Sequence, residues 1–349
     1  MGRAVSVAER FIARAKSAVQ RIVFPEGADP RMLRAVRRLR DEDICAPILV
    51  GDEADLRRAA DDARVSLEGI RRADPAGSPD IARYAAQYAA RRGVRDGVAR
   101  RVVAKPLAFA AAMVSAGDAD GMVGGVNSTT ASLLMAAGLA IGYAEGIATP
   151  SSLFIMEIPN RLGLPAGAGL RAAAGEKEKV LIFADCALNV DPTPAQLADI
   201  AIASARNAVA LLGIEPRVAM LSFANFGASP SPQTDKVRRA AEMTKAMWPE
   251  LVVDGEMQVD VATDPEIAKA FYPFSAIQGN ANVFIFPSLN AANIGYKLLS
   301  RLGGATVIGP ILVGMAKPVN ILQHGADVDA IVNLAAFTAA NFAKELSSH

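Results

Sequence analysis

The sequence predicts an α/β fold with mainly parallel sheets covered by helices on both faces. Short apolar segments alternate with helical ones almost from end to end, the pattern of repeated β-α units. The apolar segments are near-continuous runs, not polar–apolar alternations, as strands buried on both faces require. Hydrophobic residues make up 52% of the 349, enough for large cores, and at about 150 residues per domain the length points to two domains.

Ser6 and Glu9 have the spacing of a capping box. The opening MGRAVS also fits a myristoylation pattern at Gly2 and Ser6, a reading the capping box displaces. RIVFPEG (21–27) reads as a strand, after which Asp29 caps a helix with Pro30 at its first position, where proline is favoured. APILVG is the next strand. DADGMVGG ends another, and STTASLLMAAGLAIG follows as a helix. SSLFIMEIP and KVLIFAD are strands. Between them, 160–179 is Gly/Ala-rich and then charged; its G-A-G-L-R-A (167–172) formally matches a dinucleotide fingerprint but follows no strand, so it reads as a flexible surface excursion. TPAQLADIAIASARNAVALLG is a helix capped by Thr193, opened by Pro194 and closed into a box by Gln196. RVAMLS, LVVDG, NVFIFP and ATVIGP are four more strands. The last helix begins at Asp327, whose carboxylate suits the free N–H groups beside Gly325.

Thirty-seven Lys and Arg balance 36 Asp and Glu, and aromatics are 5%, which argues against a nucleic-acid or membrane-surface binder. Cys45 and Cys186 stand in no metal-like spacing, and with no apolar signal core the expected setting is the cytoplasm. No apolar run is long enough to span a bilayer.

In parallel sheets ligands bind beyond the carboxyl ends of strands. Four such loops are rich in small polar residues: one with Asn127, Ser128, Thr129 and Thr130; one with Ser222, Asn225, Gly227 and Ser229; one with Asn290, Asn293 and Lys297; and GPILVGMAKP with Gly309, Gly314 and Lys317. Helix N-termini there would favour an anion, so together the loops suggest a phosphate-rich ligand, although turns and caps explain any one of them. Asp254, Glu256 and Asp260 cluster after a strand and suit acid–base work or a divalent ion, against the plainer reading of capping and solvation. No G-x-S-x-G elbow, Walker loop or metal motif is present.

The segments RIVFPEGADPR, KPLAFAAAMVSAGDADGMVGG, FADCALNVDPTPAQLADIAIASA, EPRVAMLSFANFGAS, VDGEMQVD, GNANVFIFPSLNAANIGYKLLSRLGG and GPILVGMAKPVN resemble the phosphate acetyltransferase (phosphotransacetylase) family over nearly the whole chain. The resemblance implies two α/β/α three-layer domains with an interdomain cleft, the first formed by residues 1–147 plus 312–349 and the second, which dimerises, by 148–311. It implies acyl transfer between coenzyme A and phosphate, acetyl first, with coenzyme A, acyl phosphate and inorganic phosphate as the small-molecule partners, a homodimer, and no cofactor or metal. The family's arginine after the first PEG strand, which meets the coenzyme's 3′-phosphate, is matched by Arg31.

The family's last loop reads roughly K-P-x-N-D-L-S-R-G, with an acidic base further on; here it is K-P-V-N-I-L-Q-H-G. Gln323 replaces the serine, His324 the arginine, and Ala330 falls where the base is expected, with Asp327 and Asp329 nearby. Met135 stands where the hydroxyl loop should carry an arginine, and Ala89 or Ala90 where another belongs, with Arg91 and Arg92 adjacent. Methionine offers neither charge nor fork to phosphate. His324 has a suitable ordinary pKa for a base on the thiol, with Asp327 or Asp329 to orient it; the plain alternative is a loop histidine at a helix start, with Gln323 as a solvated neighbour. The C-terminal transacetylase-like domains of certain malic enzymes share some of these departures. Two functions follow: an acyltransferase with a rebuilt site, or a catalytically silent, regulatory coenzyme A-binding protein on the same fold. A metal-dependent dehydrogenase of similar build fits less well.

Overall fold

The computed structural model describes residues 6–145, 147–159, 178–323 and 325–345. Gly2, His324, His349 and the 160–177 stretch lie outside them. The described residues divide into two compact units, one formed by those up to 145 and from 315 onward, the other by those between.

The first unit opens with α1 (Val7–Ser17), whose Ser6–Glu9 capping box is fully formed. β1 (Arg21–Phe24) leads to α2 (Pro30–Asp41), and the Asp29 carboxylate accepts from the Arg31 and Met32 N–H groups. β2 (Ala46–Val50), α3 (Glu53–Ala63) and the short β3 (Arg71–Ala73) follow. Four helices then run α4 (Ile81–Arg92), α5 (Asp96–Val103), α6 (Pro106–Ala116) and, after β4 (Gly121–Gly124), α7 (Thr130–Ala140). Ile22, Val23 and Phe24 are fully buried, as the apolar run predicts for a strand covered on both faces.

The second unit holds β5 (Ser151–Pro159), β6 (Glu178–Ala184), α8 (Pro194–Asn207) with a final π-helical turn (Ala208–Leu212), β7 (Arg217–Leu221), α9 (Pro232–Met247), β8 (Val252–Met257), α10 (Val259–Thr263), α11 (Pro265–Phe271), β9 (Val283–Ile285), α12 (Leu289–Arg301) and β10 (Thr306–Val313). Its strands run in the order β10-β5-β6-β9-β7-β8. β6, β9, β7 and β8 pair in parallel, while β5 is antiparallel to both β6 and β10. Helices α8 and α9 pack on the parallel strands, and Phe154, Met156, Phe183, Phe284 and Tyr296 form a core with α10–α12. The Phe154 and Tyr296 rings stack at 4.5 Å.

Gly309 does not lie in a loop beyond its strand. It sits inside β10, at the register shift between Ile308 and Ile311, with φ +139°. An added Cβ would stand 2.8 Å from Phe154 Cδ1, so close backbone packing explains this glycine. Gly314 has a similar reason: a Cβ there would meet Ile147 Cγ2 at 2.7 Å.

The chain then returns to the first unit with β11 (Val319–Ile321) and α13 (Val328–Glu345). β11 pairs in parallel with β4, completing a fully parallel sheet, β3-β2-β1-β4-β11. α13 packs on β1, β4, α1 and α2, and α6 covers β1, β2 and β4. Buried Asn320 donates to Thr338 Oγ1 at 2.9 Å, tying β11 to α13.

Candidate functional site

Parallel pairing of β1, β4 and β11 puts the ends of all three on one side of the first unit's sheet. The segments leaving them are 25–30, 125–129 and 322–327. Arg31 joins the three. Its guanidinium donates twice to the Asp29 carboxylate (3.1 and 2.9 Å), to Val126 O at 3.3 Å and to Ala326 O at 3.3 Å. Asn127 Nδ2 donates to Asp29 Oδ2 at 3.0 Å. Burial alone would raise the Asp29 carboxyl; hydrogen bonds from Arg31 and Asn127 outweigh it and hold the group below the ordinary aspartate range. A hydrogen bond to Asp29 likewise raises Arg31. Arg31 therefore stands beside Asn127 and the segment leading to Asp327, with much of its donor capacity spent inside the protein.

Glu26, absent from the sequence-based candidates, is the second organiser. The N–H groups of Gly125, Val126 and Asn127 donate to its carboxylate at 2.6, 2.8 and 2.9 Å. The anion was expected at the N-terminus of the helix that follows; the amides just before it are already held by a protein anion. Thr129 caps α7 by accepting from Ser132 N, so the first turn is partly satisfied too. Asn127 and Thr129 are exposed, and Ser128 and Thr130 half-buried; a ligand here would use side chains more than backbone.

At the end of β11, Leu322 N donates to Gly124 O at 2.7 Å, and Gln323 O accepts from Ala326 N. Half-buried Gln323 is thereby fixed next to the β4 loop. Asp327 caps α13, accepting from Ala330 N at 2.8 Å. Asp329 is bound by Arg38 at 2.6 Å and is 77% exposed, which makes it a surface ion-pair member. Met135 is exposed on α7. Arg91, near the position of an expected arginine, donates to the carbonyls of Ala140 and Ile141 at the end of α7, where a cation meets the negative end of the helix. Lys317 is exposed. A cavity of about 580 Å³ opens at the ends of β1 and β2, lined by residues including Glu26, Asp29, Asp52, Leu56 and Asn127.

The second unit repeats the use of carboxylates as loop clamps. Asp185, at the end of β6, accepts from the N–H groups of Ala187, Leu188 and Asn189 and from Ser152. Glu256 accepts from Gly227 N at 2.6 Å, while its other oxygen is buried and has no partner among the described residues. Asn225 is sequestered, exchanging two hydrogen bonds with Gln258. Asp254 pairs with Lys245 at 2.9 Å and Asp260 accepts from Val261 N. Asp254 and Glu256 lie within β8 and only Asp260 follows it, on α10, so the acids expected to cluster after a strand have separate places and duties; no group of three metal-type ligands exists among the described residues. Ser222 N donates to Met257 O, and Ser229 O accepts from Thr234. Ser288 caps α12 at Ala291 N; Asn290 is exposed and Asn293 half-buried on that helix's first turns.

Both cysteines are buried, in surroundings that disfavour a thiolate. Burial pushes the Cys45 thiol up to about 12, and burial together with the Asp185 charge pushes Cys186 up as well; the thiolate is the reactive form. A clamp such as Glu26 leaves a faint mark in sequence, an acid two residues beyond a buried strand, but nothing there names a partner 99 residues away.

The family model for phosphate acetyl/butaryl transferase matches residues 6–339. The phosphate acetyltransferase of Thermoanaerobacterium thermosaccharolyticum is 41% identical over 338 residues, covering 96% of this chain and 99% of that one. That of Bacillus subtilis is 39% identical, covering 92% and 94%. Among solved structures, a phosphotransacetylase from Streptococcus pyogenes superposes with a TM-score of 0.86 at 35% identity, covering 98% of this chain and 99% of that one.

Proposed function

The chain belongs to the phosphate acetyl/butaryl transferase family, and from that premise we propose that it interconverts acyl-CoA plus phosphate with acyl phosphate plus coenzyme A, acetyl being the acyl group. The observation that carries this reading is the full-length similarity to proteins named phosphate acetyltransferase. The gathering of the β1, β4 and β11 loops around Arg31 supports it.

The coenzyme's thiol gives up its proton, and the thiolate attacks the acyl carbonyl carbon. The carbon–oxygen bond to phosphate then breaks, releasing inorganic phosphate. Positive charge and hydrogen-bond donors stabilise the oxyanion formed on the way. We assign the proton to His324, flanked by Gln323 and the helix-capping Asp327. The capture of Asp329 by Arg38 argues for Asp327 over Asp329 as its orienting acid. Asn127, Ser128, Thr129 and Thr130 are the donors to the reacting group, and the coenzyme's 3′-phosphate meets Arg31. In the second unit, Ser222, Asn290 and Asn293 remain substrate-side candidates, whereas the bonding of Asn225 to Gln258 suits a structural role. Lys317 is a phosphate-side candidate.

We propose the cytoplasm as its setting, the free cysteines Cys45 and Cys186 being the supporting feature; no helix among the described residues is long and apolar enough to cross a membrane. The assembly is a homodimer through the second unit, supported by the exposed Ile294 and Leu298 on α12 and Leu302 at its C-cap; its mass in solution tests this.

The test of the activity is acetyl-CoA formation from acetyl phosphate and coenzyme A, with propionyl and butyryl phosphates alongside. Turnover that is lost in His324→Ala is the expected result. No turnover with any acyl phosphate, together with coenzyme A binding by calorimetry, would replace the enzyme with a silent coenzyme A-binding protein.

A further inference from the structure

We propose that Glu26 is a positioning residue for acyl transfer. Its carboxylate holds the turn from Gly125 to Asn127 and so sets where the following side chains, Asn127 to Thr130, present their donors. The inference rests on the acyltransferase reading and deepens it.

Three consecutive N–H groups converge on one carboxylate at 2.6, 2.8 and 2.9 Å. Bonds of this kind, with a charged acceptor, are short and about twice as strong as neutral ones. They link the end of β1 to the end of β4 across roughly a hundred residues, so nothing local replaces them. The turn cannot settle elsewhere without disturbing its neighbours. Gly125 has φ +114°, and a Cβ there would stand 3.0 Å from Leu322 O. Leu322 N in turn donates to Gly124 O, one residue before Gln323. Arg31, five residues after Glu26, holds the same turn through Val126 O and the far segment through Ala326 O. Glu26 in the β1–α2 connection and Arg31 in the first turn of α2 thus grip, between them, both loops that carry the proposed reacting groups. The carboxylate of Glu26 is spent on the turn, so it acts through the residues it places.

Glutamine offers one acceptor oxygen where the carboxylate has two and turns an N–H₂ toward the other donors. Such displacement of reacting groups by about an ångström lowers turnover on the order of 10²-fold. Donors aimed at developing charge work mainly in the transition state, so the loss in Glu26→Gln belongs in kcat, with KM for coenzyme A little changed. The control is Asp120→Asn, which loosens the Arg21–Asp120 contacts at the opposite ends of β1 and β4.

The experiment measures kcat, KM for coenzyme A and thermal midpoint in wild type, Glu26→Gln, Glu26→Asp and Asp120→Asn. The expected result is a kcat loss in Glu26→Gln, a partial loss in Glu26→Asp, and wild-type kcat in Asp120→Asn even where its midpoint falls as far. If Glu26→Gln does not accumulate as folded protein, Glu26→Asp carries the same reading. Wild-type kcat in the Glu26 variants, or an equal loss in Asp120→Asn, overturns the proposal. If the wild type turns over no acyl phosphate, the acyltransferase reading fails separately, and coenzyme A affinity by calorimetry becomes the readout. Binding weakened by Glu26→Gln but not by Asp120→Asn upholds positioning, and equal affinity in all of them overturns it.

Discussion

Replacing Asp185 by asparagine tests whether carboxylate clamps hold the strand-end loops. Asp185 is 3% exposed. Its Oδ1 accepts from Ser152 N at 3.2 Å, Ala187 N at 3.1 Å, Leu188 N at 3.2 Å and the Ser152 hydroxyl. Its Oδ2 accepts from Asn189 N at 2.9 Å and Asn189 Nδ2 at 2.5 Å. Asparagine has the same shape but one acceptor oxygen. Placed to serve the Oδ1 cluster, it turns its own N–H₂ toward two donors of Asn189. A buried donor left unpaired costs about 1–3 kcal/mol, so two give a destabilisation of roughly 2–4 kcal/mol after some relaxation. Trp248 is the chain's single tryptophan and belongs to the same unit, so its fluorescence during urea unfolding reports on the right part of the molecule. The midpoint should fall with the slope unchanged. A change below about 0.5 kcal/mol, the usual scatter of a surface substitution, would refute the reasoning and reduce the clamp to a coincidence of geometry.

Other expectations are as direct. Gly309→Ala adds a Cβ 2.8 Å from the Phe154 ring at φ +139° and should cost roughly 2–3 kcal/mol by the same unfolding assay; a neutral result would mean that β10 shifts freely. Asp329→Ala removes an exposed pair with Arg38 and should change stability by less than about 1 kcal/mol with turnover retained; lost turnover in a folded variant would move Asp329 into the catalytic set. Lys179 is lowered by burial to about 8, so below that pH the folded state carries a poorly solvated charge, while between the folded and ordinary values the unfolded chain binds more protons and stability rises with pH. Lys179→Met should therefore raise the thermal midpoint at pH 7, and its advantage over wild type should shrink as pH climbs past 8; a constant gap would contradict the assigned cause.

What the sequence revealed was mostly what is local. Ser6, Asp29, Thr193 and Asp327 were readable as helix starts because a cap needs only its own first turn. The strands were readable as buried runs, but such a run looks alike in either direction, so the antiparallel course of β5 had no signal. Gly309 fell in the strand ATVIGP and also in the loop read after it; only the strand holds, because strand and loop glycines differ only in what packs beside them. Residues 319–321 read as loop because three residues carry too little pattern; pairing with β4 makes them a strand. Family likeness drew attention to Arg31, Gln323 and Asp327, while Glu26, Asp185 and the Arg38–Asp329 pair depend on partners up to hundreds of residues distant. The reach of a guanidinium or carboxylate is set by the tertiary fold, and spacing along the chain does not encode it.

The first unit takes its sheet and helices from both ends of the chain. β4 waits for β11, and Phe11 of α1 meets the edge of Phe337 of α13 at 4.9 Å. During synthesis residues 146–314 therefore leave the ribosome before the first unit has its last strand and last helix. At about 5–20 residues per second, the second unit has a head start of a few seconds, while the earlier-made part of the first exposes the apolar faces of β4 and α1. A late truncation should strike the unit made first, and a chaperone guarding the nascent chain would find its target near the N-terminus.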